Sequence, residues 1–345
     1  MAKESRFSAR TRWIVRAVVV VGFISAIAAG LYAMIHMPGE SFRGAPAALD
    51  PDQRQLAKML RGHVKALAVD IGPRNALDAG GRNMAAAAAY IEEAWLRQGH
   101  THIRHQSYPI PGLNPAINLE MELLGGALAD EIIVVGAHYD THAGSPGASD
   151  NASGVAIMLE LSRLMRGRPL ARTVRFVAFA NEELPYARTE LMGSLVYAHK
   201  ARAKGDKIVT MWSLETLGNF SREPGSQTYA ATWLELFYPN TGDFVAFIGD
   251  MDSRPAVEEA LGAWRGRVAF PSEGLVAPPW LAGTHRSDHW SFWMAGYPGI
   301  MITDTAPFRY DDYHKPTDTA DKLEYDDMAR VTEGLAAILD QIANQ

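Results

Sequence analysis

Histidine and carboxylate residues follow several short apolar runs in the sequence, and these are residue types that bind divalent metals. They are His138, Asp140 and His142, then Glu182 and Glu183, then Glu215, and finally Asp304, Asp311, Asp312 and His314. Because the sequence contains no Cys, a metal would depend on imidazole and carboxylate groups, which suit zinc or a similar divalent ion. A further acid, Asp150, precedes the apolar stretch 155–165, where it could either bind metal or cap a helix.

The number of these acids allows chemistry with two metal ions. A carboxylate can bridge two ions ~3.5 to 4 Å apart, which can then share a water molecule, lower its pKa and polarise a carbonyl group. The water also needs a proton acceptor. The adjacent acids Glu182 and Glu183 could divide these tasks, since a turn after a strand would direct one at the metal and leave the other beside the water.

The apolar runs themselves predict the elements that would position these side chains. The runs 132–137, 174–180 and 208–214 are short and almost wholly apolar, which is typical of parallel strands covered on both faces. Other predicted strands are 103–110 and 117–124, as an antiparallel pair, then 244–249, a segment near Val268–Phe270, and 299–303. Predicted helices are 53–69, 82–98, 155–165, 254–264, 288–295 and 325–343.

This alternation predicts an α/β fold with three α/β/α layers and a mixed, largely parallel central sheet. In open α/β sheets, ligands bind beyond the carboxyl ends of the strands. The candidate metal-binding residues follow the predicted strands, so we expect them to meet at one edge of the sheet.

Composition excludes several classes of protein. The chain has 345 residues, with 48% hydrophobic and 21% charged residues, which are ordinary globular values and not those of a disordered or polytopic membrane protein. The 33 Lys and Arg residues face 39 Asp and Glu residues, so a sequence-independent contact with nucleic acid is not expected. The lack of Cys excludes disulfides, thiolate metal sites and a Cys nucleophile.

The amino terminus carries a membrane signal. Residues 1–16 form a basic flank, and the following nineteen residues, 17–35, have no charge and would roughly span the ~30 Å hydrocarbon core as a helix. We therefore predict a cytoplasmic flank (1–16), a transmembrane signal anchor (17–37), a linker (38–50) and one domain (51–345), which in a bacterium would lie in the periplasm. The alternatives are secretion after cleavage at the small residues Ala26-Ile27-Ala28, or a buried core helix.

Six motifs carry a resemblance to a known family. They are His138-Tyr139-Asp140, Ser149-Asp150-Asn151-Ala152-Ser153-Gly154, Asn181-Glu182-Glu183, Leu214-Glu215, Ser287-Asp288-His289 and Tyr313-His314-Lys315-Pro316-Thr317-Asp318-Thr319. Ile71-Gly72-Pro73-Arg74, ahead of them, also fits. In order and spacing, the segment 51–345 resembles the co-catalytic zinc aminopeptidases of metallopeptidase family 28, clan MH. The resemblance implies a zinc exopeptidase-like fold for this domain.

The resemblance also implies a role for each matching residue. It makes His138 a ligand of the first of two zinc ions, Asp150 the bridge between them, and Glu183 and His314 the ligands that complete the second. Glu215 would bind the first ion, although better known secreted aminopeptidases use Asp at this position.

Three further roles are implied around these ligands. Glu182 would be the general base, and Asp140 would hydrogen-bond the other ring nitrogen of His138. Tyr313 matches a tyrosine that donates a hydrogen bond to the developing oxyanion in carboxypeptidase relatives. Asp288 and His289 would either support the site or line the substrate pocket, or else Asp288 would cap a helix.

The function implied by the resemblance is hydrolysis of the amino-terminal peptide bond of a peptide substrate by a metal-activated water and a Glu base. A carboxypeptidase or another amidohydrolase is an open alternative. Glutaminyl cyclases are also similar, but they carry Trp where this chain has Tyr313. A non-catalytic binding ectodomain of the same fold is a further alternative, although every ligand position is filled here. A serine hydrolase is not supported, because Ser287, Asp288 and His289 are consecutive and no Gly-x-Ser-x-Gly segment is present.

Overall fold

The computed structural model describes residues 9–77, 81–281 and 283–345. The chain divides into two compact units, with the boundary between His36 and Met37. The first unit contains helix α1 (Ala9–Ile35), whose stretch Arg10–Ile35 is apolar and long enough to cross a membrane. Residues 1–8 of the predicted basic flank lie outside the described residues.

The second unit contains the other described helices and strands. The helices are α2 (Pro51–Val64), α3 (Arg82–Arg97), α4 (Gly154–Met165), α5 (Gly193–Lys204), α6 (Arg254–Arg265), α7 (His289–Met294) and α8 (Tyr325–Ala343). The strands are β1 (Ile103–Tyr108), β2 (Ala116–Leu123), β3 (Leu128–His138), β4 (Arg172–Phe179), β5 (Lys207–Glu215), β6 (Val245–Gly249), β7 (Ser272–Val276) and β8 (Gly299–Thr303). In the segment predicted as a linker, Leu49 is buried and the Ser41 hydroxyl accepts a hydrogen bond from the main-chain N of Ser272.

The strands form one sheet in the order β1-β2-β4-β3-β5-β8-β6-β7. The four central strands β4, β3, β5 and β8 are parallel to one another, and β6 is parallel to β7, whereas β1 with β2, β2 with β4, and β6 with β8 are antiparallel. The predicted mixed, mostly parallel sheet is confirmed, and so is the antiparallel pair β1–β2.

Both faces of the sheet are covered by helices. Along β3, Ile133 and Val135 belong to the larger core, which also contains residues of α2, α3, α4, α6 and α8. The alternate residues Ile132 and Val134 belong to a smaller core with residues of α5 and α7. Because successive residues of a strand point to opposite faces, this division explains why the run 132–137 is apolar throughout.

The predicted strand near Val268–Phe270 is wrong, and the strand in this region is β7. Residues 266–271 instead leave α6 as an irregular segment, in which the carbonyl of Phe270 accepts a hydrogen bond from the indole of Trp264 (3.0 Å). The ring of Phe270 packs in the core against Phe220. Pro271 has no N–H to donate to a strand partner, so the strand begins at Ser272.

Arg74 fastens the loops that lead to the carboxyl edge of the sheet. Its guanidinium is fully buried and donates to the main-chain oxygens of Tyr139, Leu67, Gly72, Pro146 and Gly147, at 2.8 to 3.0 Å. The main-chain N of Arg74 donates to the Thr141 hydroxyl (3.0 Å). This one side chain therefore fixes the path of residues 139–147.

We predict that Arg74→Lys lowers the free energy of unfolding by about 2 to 4 kcal/mol, because an ammonium group cannot satisfy five buried carbonyls arranged around a guanidinium. The measurement is urea unfolding of the full chain in detergent. Arg97→Lys is the control, since Arg97 is exposed and pairs with Glu93 at the surface, and a change within about 0.5 kcal/mol is expected there. Equal losses in the two variants would contradict this role of Arg74.

Candidate metal centre

Residues predicted as metal ligands meet at the carboxyl ends of the four central strands. His138 is the last residue of β3 and Glu215 is the last residue of β5. Glu182 and Glu183 follow β4, and His314 lies in the loop after β8. Because these strands are neighbours and mostly parallel, their ends lie along one edge of the sheet, as expected for a ligand site of an open α/β fold.

The first cluster consists of His138, Asp150 and Glu215, which are all buried. Nε2 of His138 lies 3.2 Å from Oδ1 of Asp150 and 3.3 Å from Oε2 of Glu215. One ligand atom from each residue lies within 4.8 Å of the others, which is close enough for all three to bind one ion.

The second cluster consists of Asp150, Glu183 and His314. Nε2 of His314 lies 2.9 Å from Oδ2 of Asp150 and 3.2 Å from Oε1 of Glu183. Asp150 therefore belongs to both clusters and directs a different carboxylate oxygen toward each histidine.

The donor atoms of these clusters fit divalent metal ions. Nε2 of His138, both carboxylate oxygens of Asp150 and Oε1 of Glu183 are buried, yet none makes a hydrogen bond of acceptable geometry to a described residue. Buried polar atoms in native proteins nearly always have a partner. Two His nitrogens with carboxylates and no sulfur form a donor set that zinc accepts. The structure brings the predicted ligands together, and their role as ligands stays a prediction.

Electrostatics in this site favour a cation. Burial raises the pKa of Glu183 to about 7, and the charge of Asp150 adds to the effect. Burial opposes protonation of His314, but its contacts with Asp150 and Glu183 outweigh this and raise its pKa to about 10. Burial likewise opposes protonation of His138, but Glu215, Asp140 and Asp150 raise its pKa well above the usual value. The carboxylates therefore favour the protonated form of both histidines. A divalent ion that binds the same ring nitrogens would displace these protons.

Asp140 positions both His138 and the Glu182–Glu183 turn. Nδ1 of His138 donates to the main-chain oxygen of Asp140 (3.2 Å), while the carboxylate of Asp140 lies 3.5 Å away. That carboxylate accepts hydrogen bonds from the main-chain N of Glu182 (3.0 Å) and Glu183 (2.9 Å). The expected bond to the second ring nitrogen of His138 is thus made by the backbone of Asp140.

Glu182 belongs to neither cluster, although it lies beside them. Its Oε2 is 4.0 Å from Nε2 of His138, and its side chain is 13% exposed. Burial raises the pKa of this carboxyl well above the usual value, and the charge of Glu183 acts in the same direction. Glu182 is therefore a partly exposed acid beside the two clusters, and its role as general base stays a prediction.

Tyr313 lies beside both clusters and at the edge of a neighbouring cavity. Burial and the charge of Asp150 raise the pKa of its hydroxyl well above the usual value, so it stays protonated. With Glu215 it lines a cavity of about 90 Å³. A protonated hydroxyl here can donate a hydrogen bond to a bound molecule.

Three of the ligand-bearing segments contain a non-glycine residue with positive φ. These are Asn181 (φ 61°) just before Glu182, Thr216 (φ 41°) just after Glu215, and His314 itself (φ 61°). Side chains other than glycine rarely adopt this backbone region. The chain therefore turns sharply after β4, at the end of β5 and in the loop that carries His314.

Sequence reasoning missed two groups that hold ligands in place. The carboxylate of Asp318 accepts hydrogen bonds from the main-chain N of Ser149 (2.9 Å) and Asp150 (3.1 Å). The hydroxyl of Ser287 donates to Oε2 of Glu215 (2.6 Å). Both residues lie inside motifs that carry the family resemblance, and that position was the signal available in the sequence.

The remaining candidate residues lie outside the two clusters. Asp304 accepts hydrogen bonds from the main-chain N of Gly218 and Asn219, and Asp312 pairs with Lys322 at the surface. His142 stacks on His314, with ring centroids 4.5 Å apart. Asp311 is exposed.

Neither proposed helix cap is formed. Helix α4 begins after Ser153, and Asp150 lies before it in a kinked turn, so its oxygens face the histidines instead. Asp288 stands at the start of α7, but its carboxylate makes no capping hydrogen bond and is fully buried. Nε2 of its neighbour His289 donates to the main-chain oxygen of Thr284 (2.8 Å).

Known proteins are similar to this chain in sequence and in fold. The model of peptidase family M28 matches residues 118–339. Protein YfbL of Escherichia coli (strain K12) is 35% identical over 290 residues, which cover 82% of this chain and 87% of that protein. Aminopeptidase YwaD of Bacillus subtilis (strain 168) is 37% identical over 103 residues, which cover 30% of this chain and 21% of that protein.

Solved structures give the same fold. BSAP, a zinc aminopeptidase from Bacillus subtilis, superposes with a TM-score of 0.66 at 16% identity, over 84% of this chain and 95% of that one. Porphyromonas gingivalis glutaminyl cyclase superposes with a TM-score of 0.60 at 18% identity, over 83% of this chain and 98% of that one. At these identities the likeness concerns the fold.

We predict that Asp150→Ala loses bound metal, because it removes the side chain that the two clusters share. The expected loss of zinc affinity is at least about 100-fold. Elemental analysis of the purified chain measures the metal content. The control is Asp311→Ala, which removes an exposed acid from the loop that carries His314. A full wild-type metal content in Asp150→Ala would show that the shared role is wrong.

Metal binding should also release protons, because ligands must be deprotonated before they bind an ion. The pKa of His314, at about 10, and the raised pKa of His138 leave both rings protonated at pH 7. We expect at least about two protons released per chain at pH 7, and a zinc affinity that falls as pH is lowered. Calorimetric zinc titrations in buffers of different ionisation enthalpy count these protons. A count near zero would contradict the charge states described.

Proposed function

The chain belongs to peptidase family M28 and is a metallo-exopeptidase, and from this premise we propose that it is a di-zinc aminopeptidase that hydrolyses the amino-terminal bond of peptides. The observation that carries the proposal is the pair of clusters joined by Asp150, with Glu182 beside them. A carboxypeptidase would use the same two clusters, and the charges described below argue against it. A glutaminyl cyclase has a similar fold, but the second cluster favours two ions over one.

Each ion would be held by one cluster. His138 and Glu215 would hold the first ion, Glu183 and His314 the second, and Asp150 both. When bound, the two ions supply Lewis acidity, which lowers the pKa of water and polarises a carbonyl group. Ser287, Asp140 and Asp318 would keep the ligands oriented through the hydrogen bonds described above.

Glu182 would carry the proton between the two halves of the reaction. It accepts a proton from the attacking water and donates it to the leaving amine nitrogen, so it ends the cycle in its starting state. Burial raises the pKa of this carboxyl, which makes it a stronger proton acceptor. The hydroxyl of Tyr313 would donate a hydrogen bond to the carbonyl oxygen of the substrate as negative charge develops there.

Charge around the site supports the amino terminus as the end of the substrate that is bound. Among the described residues that line the cavity beside Glu215 and Tyr313, Arg286 is the sole cation, and it is exposed. A carboxypeptidase needs a cation at its substrate's terminal carboxylate, and Arg74 cannot serve because its donors are occupied by carbonyls.

We further propose that the chain acts at a membrane. Helix α1 would be an uncleaved signal anchor over 17–37, with the flank 1–16 in the cytoplasm, the linker 38–50, and the peptidase domain 51–345 in the periplasm. The alternative is release of the domain after signal cleavage. Detection of the mature amino terminus by mass spectrometry separates the two.

The test of the proposed activity combines metal analysis with hydrolysis. We expect near two zinc ions per chain and release of aniline from amino-acid anilides that is abolished by chelation and restored by zinc. Zinc binding without hydrolysis of any α-amino anilide, but with hydrolysis of peptides blocked at the amino terminus, would favour a carboxypeptidase. Cyclisation of amino-terminal glutamine with one ion would favour the cyclase.

The variant Glu182→Gln tests the proton carrier separately from the metal. We expect it to keep its zinc and lose about 10²- to 10⁴-fold in kcat, since the amide cannot accept the proton. Glu190→Gln, an exposed neighbour in the same loop, is the control and should match the wild type. Retained activity in Glu182→Gln would remove Glu182 from this role.

A further inference from the structure

The cavity beside Glu215 and Tyr313 has walls suited to an apolar chain. Besides Tyr313, its aromatic lining residues are Tyr229, Tyr238, Phe244 and Phe308. The hydroxyls of both tyrosines are bonded to the backbone, Tyr238 to the oxygen of Gly274 (2.7 Å) and Tyr229 to that of Pro239. The rings therefore offer carbon surface to an occupant, and the walls can hold the methylene stem of a side chain.

A second acid, apart from Glu215, interrupts this apolar lining. Glu273, on the edge strand β7, lines the same cavity and its side chain is 20% exposed. Glu273 forms an ion pair with Arg265, but the guanidinium nitrogen lies 3.6 Å from the carboxylate, which is longer than a hydrogen bond. Arg265 donates instead to the main-chain oxygens of Pro38, Gly39 and Ser272.

The charge of Glu273 is thus only partly compensated inside the protein. Burial raises the pKa of this carboxyl to about 7, against the opposing charges of Arg265 and Arg43 and a hydrogen bond from Ser41. A largely buried carboxylate that has only a long ion pair is incompletely stabilised, and a ligand that brings a hydrogen-bonded cation would stabilise it further. Arg286, which also lines the cavity, is exposed, so its repulsion of such a ligand is screened by solvent.

We propose that this cavity binds the side chain of the substrate's amino-terminal residue, and that Glu273 selects lysine or arginine over apolar residues of the same length. The proposal rests on the proposed aminopeptidase function. The stem of either side chain packs between the aromatic rings, and its cationic tip pairs with the carboxylate. A wholly apolar side chain fills the same walls but leaves Glu273 with only its long ion pair to Arg265.

The test compares lysine with norleucine, which has a similar four-carbon stem and no ammonium group. At pH 8 both Glu273 and the lysine side chain are charged. For the zinc-loaded full chain in detergent, we expect kcat/KM for the lysine anilide to exceed that for the norleucine anilide at least about tenfold. In Glu273→Gln, which keeps the shape of the side chain, we expect this ratio to fall about tenfold or more.

A matched control distinguishes direct contact between Glu273 and the substrate side chain from a long-range effect of negative charge. Glu235→Gln removes an exposed acid from the segment that also contributes Leu234 to the cavity, and it should leave the ratio unchanged. A wild-type ratio near or below one, or a ratio that Glu273→Gln and Glu235→Gln change equally, would overturn the proposal. A thermal melt of each variant shows whether it is folded.

A failure of the proposed aminopeptidase function would give a result different from a failure of the selection by Glu273. If neither anilide is hydrolysed although zinc is bound, the aminopeptidase assignment fails, and calorimetric titration with L-lysinamide and L-norleucinamide then tests the cavity alone. Tighter binding of lysinamide that is lost in Glu273→Gln supports the selection by Glu273. Equal binding of the two amides, or binding of neither, overturns it.

Discussion

The carboxylate of Asp150 is the group on which the site depends, because one buried side chain serves two clusters. Its oxygens lie 3.2 and 2.9 Å from the nitrogens of His138 and His314, and neither makes a hydrogen bond to a described residue. A buried carboxylate needs compensation by positive charge. The surrounding acids increase this need, so the edge of the sheet is built to hold cations.

The backbone, more than side-chain packing, fixes the positions of these acids. The side-chain amide of Asn151 donates to the main-chain oxygen of Leu214 (2.8 Å) and accepts from the main-chain N of Thr216 (3.1 Å). It thereby joins the turn of Asp150 to the end of β5, which carries Glu215. Asp318 and Arg74 add bonds on the other sides of the same turn. Precise ligand placement in this protein is therefore achieved through main-chain N–H and carbonyl groups, which have few ways to rearrange.

Much of this site could be predicted from the sequence because polar residues follow apolar strands directly. A buried strand leaves a strong pattern, and the rule for open α/β sheets then gives the common edge where His138, Glu183 and Glu215 meet. Strand β7 escaped prediction because it is a short edge strand that includes Glu273 and Gly274. Arg74 could not be given its role either, since the carbonyls it binds are distant in sequence and carry no signature in residue type.

The positive φ angles next to the ligands orient the metal-binding side chains but lower the stability of the fold. Asn181, Thr216 and His314 each hold a backbone conformation that costs of order 1 kcal/mol or more for a side chain other than glycine. Glycine at Asn181 or Thr216 would relieve that strain, but it would also loosen the turn that aims the adjacent carboxylate. Evolution toward a more robust fold would therefore tend to erode the metal site, and variants selected for heat resistance alone should accumulate changes at these turns at the expense of catalysis.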